Sequence, residues 1–174
     1  VQTIQINYLT PDGYDAKTEL TMNGTTAVDS GIAMRFIQSV NTSTVGSGGS
    51  AAGYIKLFKT GDTTTIYSMI TEGGNQTLIG SRMVPAGKKL LLQGWKASEA
   101  ANKRVTVRLR STDSNGILFP RLFLFKDSIY LRSSTHTQPL FAVIPAFSII
   151  KATGFSVSAG GECSFGWWGI LVSE

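Results

Sequence analysis

Few residues in this chain have the means for chemistry. His136 is the single histidine and Cys163 the single cysteine in 174 residues. A Ser-His-Asp hydrolase would need His136 as its base. His136 lies in the polar run RSSTHTQP, and no GxSxG elbow occurs in the chain; it reads as an exposed loop histidine. A glycosidase would need two carboxylates facing each other across a sugar. Asp12, Asp15, Asp62, Asp113 and Asp127 mostly fall where turns use aspartate, and Glu19 lies in the polar phase of its strand. One histidine and one cysteine rule out a His/Cys metal cluster within one chain, and a lone cysteine rules out an intrachain disulfide. Cys163 opens the apolar run CSFGWWGILV and reads as a small buried hydrophobe. The run VPAGKK lacks the GxxxxGK[ST] spacing of a phosphate loop and has no helix after it, so its glycine serves a turn. The expectation is a protein that is not an enzyme and that carries no cofactor or metal.

Binding groups are better represented. In Arg104–Arg110 of the sequence, RVTVRLR, strict alternation places Arg104, Arg108 and Arg110 on one face and Val105, Val107 and Leu109 on the other. Side chains two apart on a strand are roughly 7 Å apart, so these charges repel unless something acidic lies opposite. Two readings stay open: a docking face for an acidic patch on a neighbouring subunit, or a solvated face with Asp or Glu from the adjacent strand. Trp95, Trp167 and Trp168 are a possible sugar platform, but Phe165-Gly166 and Gly169-Ile170 bring no polar partner beside the rings. Adjacent Trp167 and Trp168 must point to opposite faces of a strand, which favours core or subunit interface. The candidate contact residues are therefore Trp95, Arg104, Arg108, Arg110, Phe165, Trp167 and Trp168.

These residues need strands to position them. Residues 3–9 alternate, with Ile4, Ile6 and Tyr8 on one face, and Pro11-Asp12-Gly13 turns into a second strand over 18–22. A longer strand is expected over 33–45, with room for a short helical turn near 32–36. Residues 46–53, GSGGSAAG, read as a mobile surface loop. Strands follow over 54–58, 64–70 and 77–84. Pro85-Ala86-Gly87 turns into a long strand over 88–97 carrying Leu90-Leu91-Leu92 and Trp95. After the arginine strand, 113–116 is a turn, and 117–125, interrupted by Pro120, reads as an edge strand or a bulge. Residues 129–131 form a short strand and 133–138 a loop. Residues 139–145 and 147–152 are strand pieces around a proline corner, and 155–159 alternates. The closing run over 164–172 is apolar enough to be central in a sheet or covered by a neighbour. About ten short strands without helical periodicity specify an all-β protein: an antiparallel β-sandwich, jelly-roll-like, built as one domain over residues 1–174 with the hairpin over 3–24 peripheral.

Charged residues are only 16% of the chain, against roughly 25% in ordinary domains. Either part of the surface is covered by other subunits, or the surface is a Thr/Ser-rich β surface. The net charge of +5 suits an acidic partner. Nucleic acid is not the expected one, and no apolar run approaches the roughly 20 residues that span a bilayer.

Several stretches resemble a group of virion proteins from tailed bacteriophages: YLTPDG, MNGTTAVD, MRFIQSV, VGSGGSAAGYIKL, VPAGKKLLL with Trp95, VRLRSTDSNG and the closing FGWWGILV. The resemblance implies a structural protein of the particle, most economically a capsid decoration or cement protein on the outer surface of the head. It would bind the major capsid protein lattice as a homo-oligomer, with a trimer favoured. The alternative it leaves is a receptor- or carbohydrate-binding β-sandwich module at a tail or fibre tip.

Overall fold

Residues 2–112 and 123–174 are described by the structure, a computed structural model of the chain. The described residues form twelve β-strands and no helix. The all-β expectation holds, with antiparallel pairing throughout. The chain divides into two compact units, Val1–Ile79 and Gly80–Glu174.

The first unit begins with β1 (Thr3–Leu9) paired to β2 (Asp15–Thr21) and β3 (Phe36–Thr44), with β1 in the middle. The alternation in β1 is the reason: Ile4, Ile6 and Tyr8 are all buried, on the face read from the sequence. Gly13 has φ 90°, the left-handed value the turn between β1 and β2 requires. The helical turn allowed near 32–36 does not form. A hairpin of β4 (Ile55–Lys59) and β5 (Asp62–Ile70) adds Ile55 and Ile70 to the same core. The Gly-rich segment over 46–53 is a loop, but it is tied down. Ala51 is buried in this core, its N–H donates to the Gly74 carbonyl, and its own carbonyl accepts from Gly73 N–H. Ala51 thus anchors an otherwise largely exposed loop to the core of this unit.

The second unit is a β-sandwich. One sheet has the order β10–β7–β12 and the other β6–β11–β8–β9. The strands are β6 (Ser81–Met83), β7 (Lys88–Glu99), β8 (Val105–Ser111), β9 (Leu124–Leu131), β10 (Thr135–Ile144), β11 (Ile149–Ser156) and β12 (Cys163–Ser173). Leu90, Leu92, Trp95 and Ala97 of β7 share one core with Val105, Val107 and Leu109 of β8, Ile129 and Leu131 of β9, and Ile150 and Ala152 of β11. Alternation on facing strands produces this layer, with one phase shift in β7 between Leu92 and Trp95 where the pairing to both neighbours is irregular, and each fully buried Leu or Val contributes about 1.5–3 kcal/mol relative to exposure.

Two expectations change. Residues 77–84 were expected as a strand, but only Ser81–Met83 forms one, paired to Lys151–Ile149. Residues 133–138 were expected as a loop, yet β10 starts at Thr135 and pairs Thr135–Gln138 with Ser98–Trp95 of β7. An edge strand tolerates polar side chains because one side of its backbone faces water. The turn over 113–116 and most of the strand over 117–125 lie outside the described residues. Of the two places left open for the closing strand, central or covered by a neighbour, the central one belongs to β7, and β12 is an edge.

Trp95 is the largest fully buried side chain, at 0% exposure. Its indole N–H donates to Asp127 Oδ2 at 2.9 Å, linking β7 of one sheet to β9 of the other. Trp95→Phe removes that donor and leaves a void. The expected loss is about 2–4 kcal/mol of unfolding free energy, checked by denaturant titration of the intact chain. Loss below about 0.5 kcal/mol would mean the indole does not hold the sheets together.

Candidate functional site

The arginine strand behaves as its alternation requires. Val105, Val107 and Leu109 are buried, while Arg104 and Arg108 are exposed and Arg110 is half-buried on the other face. Pairing register defines what surrounds them. Thr106 lies between Phe155 and Tyr130, Arg108 between Thr153 and Ser128, and Arg110 between Lys151 and Phe125. Phe155, Tyr130 and Phe125 are exposed, Tyr130 at 76%. The outer face of this sheet is therefore a row of cations flanked by aromatic rings.

No acidic side chain faces this row from β6, β8, β9 or β11 among the described residues. Asp127, the one acid on these strands, shares the inward side with Leu109 and accepts from Trp95. The reading in which a flanking strand supplies Asp or Glu is thus not met there; Asp113 lies outside the described residues. The repulsion is affordable in water: two unit charges 7 Å apart cost only about 0.6 kcal/mol in bulk dielectric. An acidic partner turns that small cost into attraction.

The seven candidate residues separate into three groups. Trp95 is withdrawn from the contact set, since a side chain with no exposed surface has nothing to offer a neighbour. Phe165 and Trp167 point inward from β12 and pack, half-buried, against the core. The Phe165 ring lies so close over Gly80 that a Cβ there would meet it at 2.7 Å. Trp168 takes the opposite face, as adjacent strand residues must, and is 40% exposed. It covers Gly94, where any Cβ would collide with the indole and come within 2.9 Å of the Gln138 carbonyl oxygen. Beside it, Ile170 pairs with Leu91, and Leu91 with Val143, giving an apolar strip with Ile170 and Val143 exposed.

His136 lies exposed on β10, paired with Ala97, and no catalytic partner hydrogen-bonds to it among the described residues. Burial pushes the Cys163 thiol up, and the nearby Glu99 charge adds to the effect, so it stays protonated at neutral pH. Among the described residues no three His, Cys, Asp or Glu side chains gather as a metal site would need. No helix among them is long and apolar enough to cross a membrane.

Sequence reasoning missed Glu99. It ends β7 and is only 4% exposed. Its Oε1 accepts from Ala101 N–H at 2.7 Å and Lys103 N–H at 3.1 Å, and its Oε2 accepts from Ser133 N–H at 2.7 Å. One carboxylate thus pins the loop before β8 and the loop after β9. Both loops are strained: Asn102 has φ 55° and Ser133 φ 45°, left-handed values that non-glycine residues seldom adopt. The only signal in the sequence was a glutamate at the end of an apolar strand, which reads equally as an exposed terminus.

No known family model matches the chain, and no curated protein or solved structure matches it.

Burial opposes the charge on Glu99, but the N–H groups of Ser133, Lys103, Ala101 and Asn102 outweigh it and hold the carboxyl below its ordinary value of 4.5. A depressed folded-state value means that the unfolded chain binds the proton more readily. Glu99 therefore contributes stability that is complete above pH 4.5 and lost as the pH falls through the lower folded-state value. Glu99→Gln is expected to flatten the acid side of the stability–pH curve and to lower stability at pH 7. Parallel wild-type and variant curves between pH 3 and 6 would show that the carboxylate is not the group responsible.

Proposed function

We propose that the chain is a virion structural protein whose mechanism is binding alone. On this reading it decorates the outer surface of a phage head, docking the cationic row Arg104, Arg108 and Arg110 onto an acidic patch of the major capsid protein lattice. The observation that carries the docking face is the absence of an acidic counterpart beside these arginines on the described strands. The particle context comes from the resemblance of the sequence stretches to tailed-phage virion proteins, which also supplies the homotrimer. The apolar strip of Trp168, Ile170, Leu91 and Val143 on the outer face of β10–β7–β12 supports contact between copies. A ligand that binds only the assembled lattice stabilises it by its binding free energy, so decoration needs no chemistry beyond complementarity.

One observation favours a second reading. Trp168 presents a partly open indole on a flat glycine bed at Gly94, and such a ring can stack on a sugar. That reading is a glycan-binding module at a tail or fibre tip.

The test is location, copy number and charge reversal. Hundreds of copies on purified heads are expected, with Arg108→Glu reducing occupancy at least tenfold and occupancy falling as salt rises, because exposed charge pairs are screened within about 8 Å at physiological ionic strength. Undiminished occupancy of the folded Arg108→Glu variant would sink the docking face. A few copies at one vertex, with glycan-array signal lost in Trp168→Ala, would replace decoration with the tail reading.

A further inference from the structure

Three strands end together at one edge of the sandwich: Val105 of β8 pairs with Leu131 of β9 and with Ser156 of β11. The residues just beyond those ends line an open cleft of about 260 Å³, made by Asn102, Lys103, Arg104, Arg132, Val157 and Ser158. Three of the six carry a positive charge and none is acidic. From this arrangement we infer that the cleft is a binding site for a doubly charged oxyanion: inorganic phosphate or sulfate, or the phosphate group of a monoester. The inference shares Arg104 with the docking face but does not rest on that reading.

The walls are held before any ligand arrives. Glu99 pins Ala101, Lys103 and Ser133 from below through their backbone N–H groups. Asn102 Oδ1 accepts from Arg132 Nε at 3.2 Å and aligns the guanidinium across the cleft. Val157 N–H donates to the Arg104 carbonyl at 3.2 Å, and Ser156 Oγ donates to the Ser158 carbonyl at 2.7 Å, which closes the third wall. Strained left-handed backbone at Asn102 and Ser133 persists only because these bonds over-determine it, a pattern that recurs where a ligand site must be rigid.

Charge selects the ligand class. Lys103, Arg104 and Arg132 supply three positive charges and Glu99 one negative charge, leaving a surplus of two. A phosphate monoester carries about −1.5 to −2 near neutral pH and accepts through three oxygens. A carboxylate would leave a positive charge over, and a guanidinium suits the planar two-point contact an oxyanion offers. The site is open to water at one side, so the group can belong to a larger molecule, either a phosphorylated nucleotide or a phosphorylated sugar.

The experiment is titration of the full chain at constant ionic strength, followed by backbone amide shifts, with inorganic phosphate, sulfate and chloride. Saturable shifts at residues 101–104, 132–133 and 156–158 with the two dianions, and none with chloride, are expected. Arg132→Gln and Arg104→Gln should each weaken binding at least tenfold, whereas Lys96→Gln, the same charge change on the other sheet, should stay within twofold. Asn102→Gly keeps the left-handed backbone without strain but releases Arg132, and should also weaken binding. Titration with a 5′-phosphorylated dinucleotide and with N-acetylglucosamine 6-phosphate identifies the source as the one that binds tenfold tighter than inorganic phosphate; if neither does, the ion itself is the ligand. Non-saturable shifts, or equal weakening in Lys96→Gln, would overturn the site as diffuse charge. Because Arg132 lies outside the docking row, an Arg132→Gln variant that loses the anion yet still occupies heads separates the two proposals.

Discussion

The second unit depends on one contact across its two sheets, the indole N–H of Trp95 on the carboxylate of Asp127. Sheets in a sandwich slide easily on apolar side chains alone, since the hydrophobic effect has no direction. A buried donor has one geometry that satisfies it, and leaving it unmade costs about 1–3 kcal/mol. Trp95 therefore sets where β7 lies over β9. The same bond turns Asp127 inward, taking the one acid on that sheet's described strands away from the outer face. The cationic character of the outside is thus partly a consequence of how the inside is closed.

Glu99 plays the corresponding part at the strand ends. It stands four residues after Trp95, on the same inward side of β7, and the strand delivers it into the gap where β8 begins and β9 ends. Backbone N–H groups compensate the buried charge, which no cation needs to reach. The cations of that region are left on the outside of the loops. Two inward carboxylates, Asp127 and Glu99, thus leave the outer face of the arginine sheet without an acid on its described strands.

Local pattern was enough for much of this. The faces of β1 and β8 were legible because alternation has a period of two, and a polar residue in the wrong phase would have to be buried. The opposition of Trp167 and Trp168 follows from the same rule. The turns at Gly13 and Gly87 were legible because proline and glycine restrict or release φ locally. The start of β10 was not legible: THTQ has no apolar phase, and its strand state comes from backbone pairing to β7. Ala51 likewise looked like part of a mobile loop because its burial depends on Gly73 and Gly74, over twenty residues away.

What the sequence by itself determined was the all-β class, the side of the strand each arginine occupies, and the shortage of catalytic groups. These follow from residue type and spacing along one strand, which the chain carries locally. Only the tertiary structure decided that Trp95 is core, that the apolar closing strand is an edge, that no described acid stands beside the arginines, and that Glu99 ties two distant loops into one cleft. Each of these depends on which strands become neighbours, and strand order is set by the packing of residues far apart in the chain.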